Sequence, residues 1–558
     1  MRTWITGFAA IAILALVAVF GFSAFSDDSS AQIGDEDRVV LHRGNSAEAS
    51  TVDPHKMTGT WESRIVGDMF IGLYTLTAEG EVIFGAAEAH EVSEDGLVHT
   101  FTMREGAVWS DGTPVTAYDF EYSWRRFVNP ETAAEFASLF DMILNATDIT
   151  YGRIDDVTQL GAHALDERTF QVTLTHPEPF MPEIVAQYYT FPVPPHVVEE
   201  FDDRWARPGT IVTNGPYVMS EWVPNDHITL LKNDLFYDAD NVAIDEVIFY
   251  PTDDSSSALR RFRAGELDLN TDFPSQQNQW LVENMPDERR VAHFYNSNYT
   301  IFNMADPKFQ DVRIRQAMAL AMDRDVNATN VLAIGQTPAY TLVPPYVPDY
   351  PLPMPEYAGW TQEQRLERAQ ELMIDAGYGP DNPFEFIYRY RESIDNRRVA
   401  ISVASAWAEA YIDVELYNTE VAVHYADLRA GNFEVADAGW VVSYPDPGQF
   451  LLLTNSDYGE LNTSGYDNPE FVSLYRQAML TPDRAARGAL LAQAEQIMLA
   501  DAPLIPNFFG VSKNLVGPHV VGWEDNPGDV HRTRWLSLDE TQRVTQEGFV
   551  DQIMRWFN

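Results

Sequence analysis

Residues 211–273 read IVTNGPYVMSEWVPNDHITLLKNDLFYDADNVAIDEVIFYPTDDSSSALRRFRAGELDLNTDF, and this stretch decides the fold class. A turn at Asn214-Gly215-Pro216 leads into an aromatic strand. Alternating apolar and polar residues from His227 to Leu231 mark a second strand, and Val247 to Tyr250 a third. Asp253, Asp254 and Ser255 offer N-cap oxygens to a short helix, Ser256 to Arg263, and Gly265 sits where a helix stops. Leu267-Asp268-Leu269 returns as another strand. Strands on either side of one helix, at this spacing, describe a compact α/β lobe.

Working outward, four further segments carry pattern. Val40 to Lys56 reads as a strand and the loop that follows it. Trp109 to Arg125, WSDGTPVTAYDFEYSWR, places a turn before a helix capped by Thr116. Val312 to Tyr340, VRIRQAMALAMDRDVNATNVLAIGQTPAY, opens on an amphipathic helix, and Gly439 to Phe450 reads GWVVSYPDPGQF. In this order, and over about residues 39–538, these motifs resemble the extracytoplasmic peptide-binding proteins that feed ABC importers, family 5 solute-binding proteins of the oligopeptide-binding type. The resemblance implies a type II periplasmic-binding-protein fold: two hinged α/β lobes with an inserted third domain. Mapped onto this chain, domain I takes residues 39–67, 196–296 and 511–540. The inserted domain II takes 68–195, and domain III takes 297–510. Crossings between lobes are expected near Tyr295 to Asn303 and Ile505 to Val511.

Bulk properties agree with a large secreted globular protein. The chain has 558 residues, 45% hydrophobic and 12% aromatic, enough to bury substantial cores. A net charge of −47, with lysine only at positions 56, 232, 308 and 513, argues against binding nucleic acid or anionic lipid. There is no cysteine, which excludes disulfides, thiol catalysis and Cys-ligated metals. Some relatives carry a cystine whose matching positions here are Asn296 and Val441. Arg2 followed by an apolar run from Ile5 to Phe25 reads as a signal peptide or an uncleaved anchor over residues 1–26, with an acidic linker at 27–38. Either puts the folded part outside the cytoplasm.

The interior segments follow the same logic. Strands are predicted at Val39 to Leu41, Val98 to Met103 and Thr169 to Leu174, and helices at Ala117 to Arg126, Asp311 to Met322, Thr361 to Ala376 and Asp483 to Ala500. Pro344 to Pro355 must be a loop. Residues 541–558 extend beyond the resemblance; Phe549, Val550, Ile553, Met554 and Phe557 share one face of a predicted amphipathic helix.

No enzyme constellation stands out. G-x-S-x-G, H-E-x-x-H, the P-loop and G-x-G-x-x-G are all absent, and His90, His99 and His163 lack ligand spacing. Abundant carboxylates alone are no argument for a hydrolase. No cofactor or metal is expected. What the resemblance implies is a peptide gripped as an added β-strand between the loop Met57, Thr58, Gly59, Thr60 and the strand Gly439, Trp440, Val441. Trp440 and Tyr444 would be aromatic walls, with Phe136 and Tyr299 as further contacts. The expected partners are an oligopeptide and the permease subunits of an inner-membrane ABC transporter, and a monomer is expected. Another solute on the same fold (dipeptide, cell-wall peptide, metal chelate or oligosaccharide) is the alternative.

Departures from the family pattern bear on the ligand. Ser443 stands where these binders carry an aspartate that pairs with the peptide's ammonium. Val421 replaces a tryptophan, Asn396 a histidine and Asp437 an arginine. An ammonium buried without a counter-charge would cost several kcal/mol. Either Asp446 provides the carboxylate, or the ligand places no free amine there.

Overall fold

The computed structural model describes residues 38–543. The signal peptide or anchor and nearly all of the predicted C-terminal helix lie outside that range. Residues 39–543 belong to one compact unit.

The stretch that decides the fold class folds much as its residues require. Gly215 donates to the Met69 carbonyl, and a Cβ there would lie 2.5 Å from that oxygen, so only glycine allows the turn. Strand Tyr217–Val223 pairs antiparallel with His227–Lys232, which pairs antiparallel with Glu246–Tyr250. Asp254 caps the helix Ser255–Arg263 through the N–H groups of Ser256 and Ser257, and Gly265 adopts φ +73° beyond its end. The returning strand is Leu269–Thr271, two residues later than predicted. Asp268 is diverted: its carboxylate accepts the His42 N–H at 2.7 Å and holds His519 and Arg543.

Val40–Gly44 lies between Glu246–Tyr250 and Leu269–Thr271, parallel to both. From there one sheet runs through the whole unit. After Leu269–Thr271 come Leu504–Val516, Arg289–Phe302, Val435–Val441, Phe384–Arg391 and Ile412–Thr419. Phe384–Arg391 is parallel to both of its neighbours. The two lobes therefore share two long strands, Arg289–Phe302 and Leu504–Val516, running antiparallel at the expected crossings. Their register breaks between His293 and Ser297, where one lobe's half of the ladder hands over to the other's. Such an irregularity bends a strand pair locally.

The insert has its own antiparallel sheet, ordered Ala87–Val92, Val98–Met103, Thr169–Thr173, Ala162–Ala164, beneath the helix Ala117–Val128. Asp119 reaches back to the Thr116 N–H at 2.7 Å to begin that helix. The boundary drawn after residue 67 needs correcting, because it cuts the helix Thr60–Met69. One continuous core also runs from Leu41 and Leu230 of the first lobe through Met69 to Phe101, Trp124 and Phe170 of the insert. The insert is thus fused to the first lobe. Two separate cores serve the second lobe, one around Phe384, Phe386, Tyr388 and Trp407, the other around Ile301, Leu451, Phe471 and Leu491.

Arg324 ties the second lobe to a shared strand. Fully buried, its guanidinium donates to the carbonyls of Ala339 and Pro506 at 2.8 Å each, and to Ala319 at 2.8 Å. Replacing it with methionine (Arg324→Met) should lower unfolding free energy by about 3 kcal/mol, the worth of one or two charge-assisted hydrogen bonds. The midpoint of chemical denaturation reads this; an unchanged midpoint would contradict it.

Candidate functional site

Strand Val435–Val441 is paired along one side only for much of its length. On one side it meets Arg289–Phe302 continuously, from Phe302↔Val435 to Asn296↔Val441. On the other, Phe384–Arg391 accompanies it only at Tyr388↔Val435 and Arg389↔Ala436. That neighbour ends as the Arg391 N–H turns to the Asp437 side chain at 2.9 Å. Alternation then fixes which groups face the gap. Val442 N–H bonds to Tyr295 O, so even-numbered residues face the crossover strand, and Gly439 and Val441 face the open side. Gly439 has only the Tyr425 hydroxyl beside its N–H and C=O, at 3.3 Å each. Asn296 and Val441, matched in sequence to a cystine of some relatives, are indeed register partners.

Among the expected contacts, Val441 is 46% exposed and Ser443 is exposed. Trp440 is half-buried, its Nε1–H held by Gln449 O at 2.8 Å, so its ring is fixed in place. Tyr299 and Tyr444 are buried, and burial raises both hydroxyl pKa values well above the usual phenol range. Phe136 is half-buried against the core of the first lobe and insert.

The loop Met57 to Thr60 contributes less main chain than expected. Met57 N–H goes to Asp53 O, while Thr58 and Gly59 N–H both go to Glu62 Oε2, at 3.0 and 2.9 Å. Burial opposes the Glu62 charge, yet the Ser50 hydroxyl and these backbone donors hold its carboxyl below the ordinary value. The Thr58 and Thr60 side chains remain exposed, and Thr60 N–H, in the first helical turn, has no intrahelical acceptor.

Besides the contacts of Asn278 and Arg289 with the carbonyls of Ala333 and Ile334, the lobes meet at two further places. At one rim, Ser275 Oγ donates to Asp395 Oδ2 at 2.5 Å. At the other, the insert meets the second lobe: Gln187 Nε2 donates to Ser443 O at 3.2 Å, and the Phe180 and Tyr444 rings lie tilted at 39° with centroids 5.9 Å apart. There Arg484 binds Pro179 O and Glu183, both at 2.7 Å. Arg487 binds Asp446 at 2.5 Å, with Glu178 3.8 Å away.

This arrangement corrects the reading of Asp446. Its carboxylate is 1% exposed, neutralised by Arg487 and bonded to Gly448 N–H at 2.9 Å, so it is not aimed at a ligand. Glu178, Asp446 and Glu183 pair with Arg484 and Arg487, and the buried Asp141 adds a further negative charge near Glu178, so carboxylates outnumber guanidinium groups here. The excess falls on Glu178: burial pushes its pKa up to about 7, with Asp446 adding to the rise and Arg487 opposing it. Sequence reading missed Glu178, Arg487 and Gln187 because each acts only through a partner distant along the chain. It also missed that Asp437 is matched by Arg391 of the adjacent strand, Nε to Oδ2 at 2.9 Å. His90 and His99 bond to each other at 2.9 Å, and among the described residues no His/Asp/Glu group could hold a metal ion.

Comparison with known proteins fits this geometry. Residues 81–462 match the profile of bacterial extracellular solute-binding proteins, family 5. The chain is 37% identical over 521 residues to the periplasmic oligopeptide-binding protein OppA of Escherichia coli K12, covering 92% of this chain and 95% of that one. It is 36% identical over 494 residues to the "Probable deoxycholate-binding periplasmic protein YgiS" of the same strain, covering 88% and 92%. The crystal structure of Haemophilus influenzae OppA in complex with RPPGFSPFR superposes with a TM-score of 0.77 at 33% identity, covering 90% of this chain and 99% of that one. The shared strands, the fused insert and the half-open strand edge are thus features of a chain that belongs to the bacterial extracellular solute-binding proteins of family 5.

Proposed function

We propose that this protein is the extracytoplasmic receptor of an ABC peptide importer, capturing oligopeptides between its two lobes and passing them unbroken to membrane permease subunits. It works as a monomer and as a binder, with no chemical step of its own. The observation that carries the reading is the open edge at Gly439 and Val441. Relatives of similar identity include one named for a bile acid, so likeness alone does not choose the ligand. An unpaired strand edge does: it matches the main chain of an extended peptide, which a sterol cannot mimic. Each main-chain bond contributes about 0.5–1.5 kcal/mol net. Several such bonds together with lobe contacts suffice for micromolar binding, near −8 kcal/mol.

Calorimetry with a peptide mixture and with deoxycholate separates the readings, with mass spectrometry of the recovered ligand. Intact peptide bound in the micromolar range is expected. Deoxycholate binding without peptide binding, or peptide turnover, would overturn the proposal.

The edge itself can be tested by removing one donor. Val441→Pro deletes an N–H that faces no strand partner, a change an open edge tolerates. Compared with Val441→Ala, it should weaken peptide binding by about fivefold to tenfold, the worth of about 1 kcal/mol, while leaving the thermal midpoint within a few degrees. Equal affinities for the two variants would show that the N–H is not used.

Lobe contact should also be linked to pH. Burial raises Glu178 from 4.5 to about 7, with Asp446 of the second lobe adding to the rise and Arg487 opposing it, and separating the lobes should undo the part of that rise that their contact supplies. The joined state therefore holds a proton more tightly. Its advantage is complete below about pH 4.5 and is lost as pH rises through about 7. Between pH 5.5 and 8, peptide affinity should fall, by about thirtyfold where the whole rise belongs to lobe contact and by less where only part does, and Glu178→Gln should flatten that slope. A slope that persists unchanged in the variant would reject this role.

A further inference from the structure

Where the two shared strands cross between the lobes, a third segment accompanies them. The register breaks where Phe294, Tyr295 and Asn296 on one strand face Gly510 alone on the other. Main-chain groups there turn to partners outside the pair. Tyr295 N–H donates to Pro527 O of the first lobe at 2.9 Å, and Phe294 O accepts the hydroxyl of Tyr346 from the second. The Tyr346 ring also stacks on His293, with centroids 4.7 Å apart and planes at 19°. Tyr346 ends a segment, residues 333–346, that the second lobe sends across the break and takes back.

The tip of that segment is fastened to the first lobe. Asn278 Nδ2 donates to Ala333 O and Arg289 Nη2 to Ile334 O, both at 2.7 Å. Arg289 Nε holds Asn278 Oδ1 at the same distance, so the two donors brace each other. Ile334 is 4% exposed, packed in a core with Leu259, Phe262, Leu267, Phe273, Leu281 and Leu515. Gly335, at φ +147°, lets the chain pass close over a shared strand: a Cβ there would lie 3.0 Å from Val291 Cγ1 and 3.7 Å from Val511 Cγ1. Thr337 and Pro338 then pair antiparallel with Phe509 and Phe508, and Ala339 N–H donates to Asn507 O at 3.0 Å. Gly335 beside Val511 continues that register, so the segment runs extended along Leu504–Val516 from one side of the break to the other. Its root lies in the second lobe. Arg324 Nε donates to Ala339 O at 2.8 Å, Ser297 Oγ donates to Leu342 O, and Glu495 accepts the N–H groups of Leu342 and Val343. Both of those side chains are fully buried in a second-lobe core.

We propose that residues 333–346 are a strap across the hinge, pinned in the first lobe by Ile334 and rooted in the second by Leu342 and Val343, that limits how far the lobes part. Two strands joined through a bulge bend at the bulge. A third strand fixed at both ends opposes that bend, because an extended chain spans at most about 3.3–3.6 Å per residue and has no slack to give. Parting the lobes must therefore bend the strap at Gly335 or draw Ile334 from its core. The first is resisted by the close passage over Val291, the second by the return of apolar surface to water. The strap acts whatever solute the cleft takes.

The test needs no added solute. Because the chain has no cysteine, Gln276→Cys and Ile394→Cys supply two unique sites for spin labels. Both positions are exposed and flank the Ser275–Asp395 contact at the rim. Dipolar electron paramagnetic resonance on the free protein then reads the distribution of distances between the lobes. Inserting Gly-Gly between Gln336 and Thr337 adds slack while keeping pin and root. It should move the upper end of the distribution outward by about 7 Å, the reach of two extended residues. Ile334→Ala, which weakens the pin, should move it in the same direction, with both variants shown to be folded by circular dichroism. An unchanged upper limit in both overturns the strap. So does a shift with Ile334→Ala alone, which would reflect a loosened core, or with the insertion alone, which would show that Ile334 does not hold the tip.

Discussion

A β-strand with one side of its main chain left unpaired is the constraint on which this molecule turns. Val435–Val441 is central in the sheet at its start and an edge at its end, because Phe384–Arg391 stops short of it. The termination is chemical: the Asp437 side chain takes the Arg391 N–H that would otherwise continue the ladder. Exposed edges invite pairing with any extended chain, and soluble proteins normally blunt or cover them. On the proposed reading this edge faces the space between the two lobes, where an entering chain would reach it, and the feature that would be a liability outside would serve as a recognition surface inside.

The lobes are joined so that this space can open and close. Two long strands belong to both lobes, and their register breaks at the handover. The insert, fused to the first lobe through a common core, brings Glu178, Glu183, Phe180 and Gln187 against the second lobe near Ser443. These contacts are charged and buried, a combination that is weak as a source of stability but strong as a device that registers geometry and pH. With carboxylates in excess there and Glu178 raised to about 7 by burial, the meeting of the lobes should depend on pH.

Much of this was legible along the chain. The helix predicted from the caps at Asp253 to Ser255 begins one residue earlier than expected, at Ser255, and the helices predicted from Thr361 and Asp483 begin just after those residues, which serve as their N-caps. The alternation Phe384, Phe386, Tyr388, Tyr390 marks the buried face of a strand without any knowledge of its partner. The family resemblance also brought Asn296 and Val441 to the same place, which they occupy as register partners. What escaped sequence reading depends on partners far apart in the chain. Asp446 looked available because nothing near it reveals Arg487, and Asp437 looked like a lost arginine because Arg391 is on a different strand. The donors of Met57 to Gly59 are consumed by Asp53 and Glu62, a local arrangement that the loop's composition does not announce. The returning strand begins late because Asp268 is recruited by His42, His519 and Arg543, all of them hundreds of residues away.

The claim beneath all of this is that a ligand's main chain completes the unfinished ladder. Amide hydrogen exchange at Gly439 and Val441, followed with and without a bound peptide, addresses it most directly. The account predicts that the Val441 amide exchanges quickly in the free protein and that both amides become more protected on binding, Gly439 exchanging its 3.3 Å bond to the Tyr425 hydroxyl for one to the ligand, while Ala438 and Trp440, already facing the crossover strand, change little. Protection at Ala438 and Trp440 alone, or no change at Gly439 and Val441 with peptide saturating the cleft, would contradict it.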